Sequence, residues 1–532
     1  MEPRDREPLL RGLRAEETDS EGEVIFEQTK VSKTDLRRHV FTYEEAVEEA
    51  GFGCYHLMLL LVCGWANASD AVEILCVSFL LPTARCDLHL NTTDMGWLTA
   101  SIFLGMMIGG YMWGALADLK GRRSVLLFSL TINGVFGALS SLASHFWLFL
   151  LLRFLSGIGV GGSIPVIFSY FTEFQPRNKR GTMISALATF WMAGNILTAG
   201  LAWLVIPSTS LSFQLSWLQF RSWRLFVMLC SIPSLSSAFI YAVGMPESPR
   251  YLMEAGRGDE AIRVFRRMFY WNQQGRNRTF SVARLKTPPT EDSKTYFGNT
   301  AGQRLQHQLL KGLDPIRKIF SSPLRSRTIP LALIFFSISF GYYGLWMWFP
   351  ELFRRIEMGG GSPCITNMSQ SSSGNVNISC YPVNTAVYKE GFITAAANLP
   401  GNILTILVMD LVGGKLLLCG SLILSGITVF FIWEVKTKTQ SLIMSCLFSA
   451  ISVIAWNSLD VLGPELYPTQ LRSSALGVFT GIGRIASILG NVVFGQLVDL
   501  SCAVPILLMA AMLFAGGLIA LKLPNTKNIE LS

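Results

Sequence analysis

Charge is scarce in this chain. Only 15% of its 532 residues are Asp, Glu, Lys or Arg, against about a quarter in an ordinary soluble protein, while 50% are hydrophobic. With a mean hydropathy of +0.41, the apolar surplus exceeds what a soluble core hides. Histidine is rarer still, with five residues, and the ten cysteines show no CxxC-type metal spacing. No nucleotide-binding glycine loop, catalytic triad or metal cluster is found in the sequence. These absences exclude a soluble enzyme, a nucleic-acid binder and a disordered scaffold, and they predict no cofactor and no metal. A signal peptide is lacking too, because the first 45 residues are polar and charged; the first apolar run is expected to serve as its own targeting signal.

What is abundant is long apolar runs. They fall at 54–81, 96–117, 124–144, 146–170, 182–206 and 223–245, then at 328–350, 385–409, 415–434, 440–463, 473–498 and 503–522. Each is long enough for a helix to cross a hydrocarbon core of about 30 Å. The chain therefore reads as an all-α polytopic membrane protein whose first partner is the lipid bilayer. Its predicted organisation is a tail (1–50), a six-helix bundle (51–246), a basic central loop (247–326), a second six-helix bundle (327–523) with an outer loop at 351–384, and a short tail (524–532).

The formal charge of +8 is a topology signal. Lys120, Arg122, Arg123, Arg177, Lys179, Arg180, the central loop, Lys415 and Arg472 fall on one side, which the positive-inside rule assigns to the cytoplasm with both tails. Arg354, Arg355, Lys389, Lys436 and Lys438 are exceptions on the other side. Sequons at Asn91, Asn367 and Asn377 fall on that outer side and are candidate glycosylation sites, whereas those at Asn67 and Asn277 lie in a span and in the central loop. Cys364 and Cys380 flank a Ser-rich outer loop and are expected to form a disulfide, leaving Cys86 unpaired. In the first tail, Asp5, Leu9 and Leu10 fit an acidic dileucine signal that sorting adaptors read. It implies an endosomal, lysosomal or secretory-vesicle membrane, with the plasma membrane as the alternative.

Two motifs recur at one offset. Asp118-Leu-Lys-Gly121-Arg122-Arg123 is echoed 292 positions later from Asp410, and Glu173 with Arg180 is echoed by Glu465 with Arg472 at the same 292. The halves read as structural repeats. In this reading Asp118 meets orphan amides at a helix start, Gly121 allows a tight turn, and Glu173–Arg180 and Glu465–Arg472 are charge clusters that latch helix ends. Ionisable residues inside spans are costly and mark function or pairing. Asp70 and Glu73 share a helical face at i, i+3 and are expected, with Arg153 and Arg484, to form a proton-coupling or charge network. Asp460 lies one turn after Trp456, a carboxylate beside an aromatic platform suited to a polar ring or an organic cation. Gly105-x-x-x-Gly109 and Gly157-x-x-x-Gly161 are spaced for close helix approach.

The run Gly114 to Arg123 (GALADLKGRR) resembles the signature loop of the major facilitator superfamily, and RFLSGIGVGG from Arg153 resembles its fourth-helix motif. PESPR (246–250) is similar to the sugar-porter and organic-ion branch. GGSIPVIFSYFTEF, FWMAG, SFGYYGLWMWFP, LPGN and AWNSLDVLGPELYPT together resemble the synaptic vesicle glycoprotein 2 family over nearly all twelve spans. The resemblance implies a major facilitator fold of twelve helices in two pseudo-symmetric halves. It also implies a central pocket formed by Trp191, Tyr342, Tyr343, Trp456 and Asp460. The family's large luminal β-repeat domain has no room in residues 351–384. The expected function is a secondary transporter moving a small polar solute, a sugar or organic ion, by alternating access, with proton coupling open. The alternative is a transporter-like regulatory protein of vesicle membranes that moves nothing.

Overall fold

The computed structural model describes residues 40–215, 218–273, 279–286, 316–359 and 383–524; the side chains of Asp118 and Asp410 are not among those described. The expected sorting signal (Asp5, Leu9, Leu10), the sequons at Asn367 and Asn377, and Cys364 and Cys380 lie outside the described residues.

Twelve helices in this range are long and apolar enough to cross a membrane. A short helix α1 (Tyr43–Ala50) precedes them, closed at its start by a reciprocal cap between Thr42 and Glu45. The first set is α2 (Cys54–Asp87), α3 (Thr92–Lys120), α4 (Arg122–Ser140), α5 (Phe146–Thr172), α6 (Arg180–Val205) and α7 (Ser222–Val243). A small hairpin, β1 (Phe213–Leu215) and β2 (Leu218–Phe220), pairs Phe213 with Phe220 between α6 and α7. Two surface helices follow, α8 (Pro249–Glu254) and α9 (Gly258–Asn272). The second set is α10 (Arg325–Trp346), α11 (Phe349–Gly359), α12 (Thr385–Ala396), α13 (Asn398–Val412), α14 (Gly414–Glu434), α15 (Lys438–Glu465), α16 (Thr469–Leu497) and α17 (Ala503–Ala520).

Two boundaries differ from the sequence expectation. The apolar run at 385–409 is two helices, α12 and α13, meeting at Ala397. Pro400 supplies no amide to the preceding turn, which frees the backbone to break there. The first span runs on past residue 81 and through Pro82 to Asp87, where Arg85 reaches Glu351 of α11 at 3.4 Å.

The packing repeats between the sets. In the first, α2 packs on α6, α3 on α5 and α4 on α7; in the second, α10 packs on α16, α13 on α15 and α14 on α17. Seams between the sets run along α3–α16 and α6–α12. The 292-residue offset is visible in the backbone itself. Gly121 ends α3 at φ +94°, ψ 154°, and Gly413 ends α13 at φ +91°, ψ 146°, a region that only glycine occupies readily. A Cβ on Gly109 would stand 2.1 Å from the Ile158 carbonyl oxygen, and one on Gly401 the same 2.1 Å from that of Ala450, so both pairs are also 292 apart.

One hydrophobic core spans both sets. It includes Val72, Phe103 and Trp223 from the first and Leu345, Trp348 and Phe494 from the second. A second core joins first-set residues with α1, α8, α9 and Val282, and includes Leu126, Tyr170 and Phe265. The sets therefore share packing toward the end that carries Asp87 and Glu351, called here the far end. At the opposite, motif-bearing end, Gly114, Gly181, Gly477 and Gly481 face open space. Contacts between the sets are therefore concentrated toward the far end.

Candidate functional site

The costliest groups lie inside the first set. Asp70, Glu73 and Arg153 are each fully buried. Arg153 Nη1 donates to Glu73 Oε1, and the Ser156 hydroxyl donates to the same oxygen at 3.0 Å. Asp70 accepts from the Ser163 hydroxyl at 2.7 Å and from Asn133 Nδ2 at 3.3 Å, and that amide also reaches the Ser234 hydroxyl at 3.0 Å. The i, i+3 spacing thus puts both carboxylates into one network, with different partners: a cation for Glu73, neutral hydroxyl and amide groups for Asp70. Gly137 and Gly159 make room for it, since a Cβ on the first would stand within 3 Å of Glu73 Oε1 and one on the second within 3 Å of the Asn133 backbone nitrogen. Glu73 Oε2 and Arg153 Nε are buried without a hydrogen-bond partner, so the pair is incompletely satisfied. The sequence reading missed Asn133, Ser156, Ser163 and Ser234, because small polar residues are common in spans and carry no periodic signal.

Arg484 does not join this network, contrary to expectation. It lies on α16 within electrostatic and hydrogen-bonding reach of the Tyr343 hydroxyl, which also feels Asp460. The sequence placed it with the other buried charges only because all lie in spans; α16 belongs to the second set.

The aromatic residues gather between the sets. Trp456 has Tyr343 at 5.9 Å and Tyr342 at 6.1 Å between ring centroids, and Tyr343 meets Phe103 of α3 at 5.1 Å. Tyr342 is buried, stacked on Trp346 at 5.4 Å, so it supports the wall, whereas Tyr343 and Trp456 are only half-buried. The Trp456 indole nitrogen is buried with no hydrogen-bond partner among the described residues. Asp460 is exposed on α15, five residues before the helix ends at Glu465. Asn457 donates to Asn402 of α13 at 2.8 Å beside it, a polar pair the sequence reading did not single out. Trp191 packs half-buried against the shared core on α6, and no ring contact joins it to this cluster among the described residues. The site can hold a ring on Tyr343 and Trp456 while Asp460 and Arg484 offer charges of both signs.

The motif end corrects one pairing. Glu173 does not bind Arg180: it pairs with Arg122 at 3.3 Å and accepts from the Ser248 hydroxyl, while its backbone carbonyl accepts from Tyr43. Burial pushes the Glu173 carboxyl above its ordinary range against the opposing pull of Arg122. Arg180 instead meets Glu44 of α1 at 3.3 Å. The helix start at Arg180 turns the side chain toward α1, which the sequence could not place. Arg123 caps α7 through the carbonyls of Tyr241 (3.0 Å) and Ala242 (2.7 Å). Glu465 and Arg472 form no ion pair with each other, although Arg472 has a partner of its own.

The far end holds a charge lock that the sequence reading did not assign. Fully buried Glu351 receives Arg354 at 2.6 Å, Arg355 at 3.2 Å and, from the first set, Arg85 at 3.4 Å. Arg355 also binds Asp499 at 2.8 Å, whose other oxygen accepts from Thr92 of α3 at 2.5 Å. Ser78 adds a hydrogen bond to the Met347 carbonyl at 2.7 Å. Three of the five basic residues that break the charge-asymmetry rule are thereby neutralised, Arg354 and Arg355 by Glu351 and Asp499, and Lys438 by Glu357 at 2.5 Å. Asn91 caps α3 through its side-chain oxygen, which accepts from Asp94 at 2.7 Å. Each of Cys86 and Cys502 is disulfide-bonded, which corrects the expectation that Cys86 stays unpaired.

The residues 29–308 and 363–532 match the family model "Sugar (and other) transporter". The chain is 33% identical over 586 residues to synaptic vesicle glycoprotein 2C of Mus musculus, covering 91% of this chain and 80% of that protein. It is 32% identical over 624 residues to synaptic vesicle glycoprotein 2A of Rattus norvegicus, covering 97% and 83%. Its fold matches that of the xylose transporter XylE from E. coli, in a partially occluded inward open conformation. That match has a TM-score of 0.65 at 19% identity and covers 90% of this chain and 100% of the other. A crystal structure of a D-xylose-proton symporter gives 0.61 at 18% identity, covering 90% and 100%. With twelve spans, paired repeats and these matches, the chain belongs to the sugar (and other) transporter family, a major facilitator lineage of carriers and not of enzymes, and is a homologue of the synaptic vesicle 2 glycoproteins.

Proposed function

We propose that the chain is a secondary active transporter that moves a small polar solute by alternating access. The observation that carries this reading is Asp460. Its exposed carboxylate lies one turn after Trp456 and acts on Tyr343, which Arg484 also reaches and whose ring meets Phe103 of the other pseudo-symmetric set, an arrangement suited to a solute site between the sets. The charge asymmetry supports a cytoplasmic motif end. Disulfide-bonded Cys86 and Cys502 at the far end support an oxidising lumen there. The Asn91 sequon is then a luminal glycan acceptor, and the dileucine at Leu9 and Leu10 supports a vesicle address through sorting adaptors.

Asp70 is the group suited to proton coupling, because no cation among the described residues pairs with it, whereas Arg153 holds Glu73. The short outer connection supports a carrier core without the family's large luminal domain. Uptake by reconstituted liposomes decides the matter, with sugars, organic cations and organic anions tested with and without a proton gradient. Transport of one class that is lost in Asp460→Ala is the expected result, and the gradient dependence should vanish in Asp70→Asn. Absence of flux for all three classes in correctly folded protein sinks the reading and leaves the regulatory alternative.

A further inference from the structure

At the motif end, a polar cavity of about 360 Å³ lies between the ends of α3, α4 and α7 and the surface helices α8 and α9. Its volume is within the about 300–1,000 Å³ of small-molecule sites. Four cations line it, Lys120, Arg123, Arg257 and Arg263, against two acids, Glu247 and Glu260. Both acids are already committed. Glu247 Oε1 accepts the amides of Arg123 and Ser248, each at 2.9 Å, and Glu260 is held by Arg257 at 2.6 and 2.7 Å. Lys120 has no partner among the described residues, Arg263 reaches Glu260 only at 4.0 Å, and Arg123 uses Nε and Nη2 on carbonyls and leaves Nη1 over. The cavity is therefore a net-cationic chamber with unspent donors.

Its position is equally specific. Leu119, beside Lys120, and Val243, just before the Pro246 wall, are large exposed apolar residues at the ends of spanning helices. They set the rim at the edge of the bilayer, on the face that the charge asymmetry assigns to the cytoplasm. Basic pockets at that depth match the anionic headgroups of the cytoplasmic leaflet. We propose that this cavity binds the multiply phosphorylated headgroup of an inositol phospholipid. The phosphates take Lys120, Arg263 and the free Nη1 of Arg123, and the acyl chains lie along the apolar rim.

The full-length protein in phosphatidylcholine nanodiscs is titrated with phosphatidylinositol bisphosphate, with phosphatidylserine at matched charge as the control and soluble inositol trisphosphate as competitor. Saturable binding is expected, weakened roughly tenfold in the double variant Lys120→Gln/Arg263→Gln, whose thermal midpoint should match that of the parent. Glu260→Gln releases Arg257 and should bind more tightly. Equal affinity of parent and double variant, or equal affinity for phosphatidylserine at matched charge, overturns the site. Soluble inositol trisphosphate binding as tightly as the lipid overturns the lipid source and assigns the cavity to a free polyphosphate.

Discussion

Arg153 and Glu73 form a buried ion pair in a helix bundle, where losing one partner strands the other. Arg153→Ala should cost about 3–5 kcal/mol, read as a large drop in thermal midpoint, and Arg153→Met combined with Glu73→Gln should recover much of it. Glu351 tests a different balance. Burial alone would raise its carboxyl, but Arg354, then Arg355 and Arg85, hold it below the ordinary range. Asp499 is likewise buried in part, and the Thr92 hydroxyl and Arg355 pull it down. Groups with depressed values stabilise above their unfolded pKa and lose that contribution only as pH falls through the folded value. The lock should therefore persist between about pH 5 and 7, with far-end accessibility flat across that window. Glu351→Gln should loosen it at neutral pH; unchanged far-end labelling in that variant would count against a locking role.

At the scale of elements, the repeated glycines fix how helices meet. Gly109 and Gly401 let α3 and α13 press on the carbonyls of α5 and α15. Gly401→Leu should separate α13 from α15 and destabilise by about 1–3 kcal/mol or more, measured by thermal unfolding, with Gly109→Leu equivalent in the first set. Gly121→Ala meets a steeper obstacle, because a Cβ at φ +94° is strained and also strikes Glu247. Gly109 was visible in the sequence through its Gly-x-x-x-Gly spacing and Gly121 through the 292-residue echo, whereas Gly401 was not singled out. The break of one span into α12 and α13 was not, since hydropathy reads through Pro400 as one continuous run.

The whole molecule is asymmetric along its axis: one shared core at the far end, separate surfaces at the motif end. Gly477→Cys, with nothing within 4 Å of its position, should label rapidly with a hydrophilic maleimide from the motif side. Adding a transported solute should slow that labelling and, if the sets rock, speed labelling of Arg85→Cys at the far end. Labelling that ignores every transported solute would mean that the sets do not exchange access.

The twelve spans, the repeat and the buried charges were legible in the sequence, because a bilayer imposes length and apolarity on every span and penalises each charge within one. Glu173 joining Arg122, Arg180 joining α1, Arg484 leaving the first set for Tyr343, and Glu351 gathering three arginines were settled only by tertiary structure. Each depends on which helix faces which, and a charge in a sequence carries its cost but not the address of the partner that offsets it.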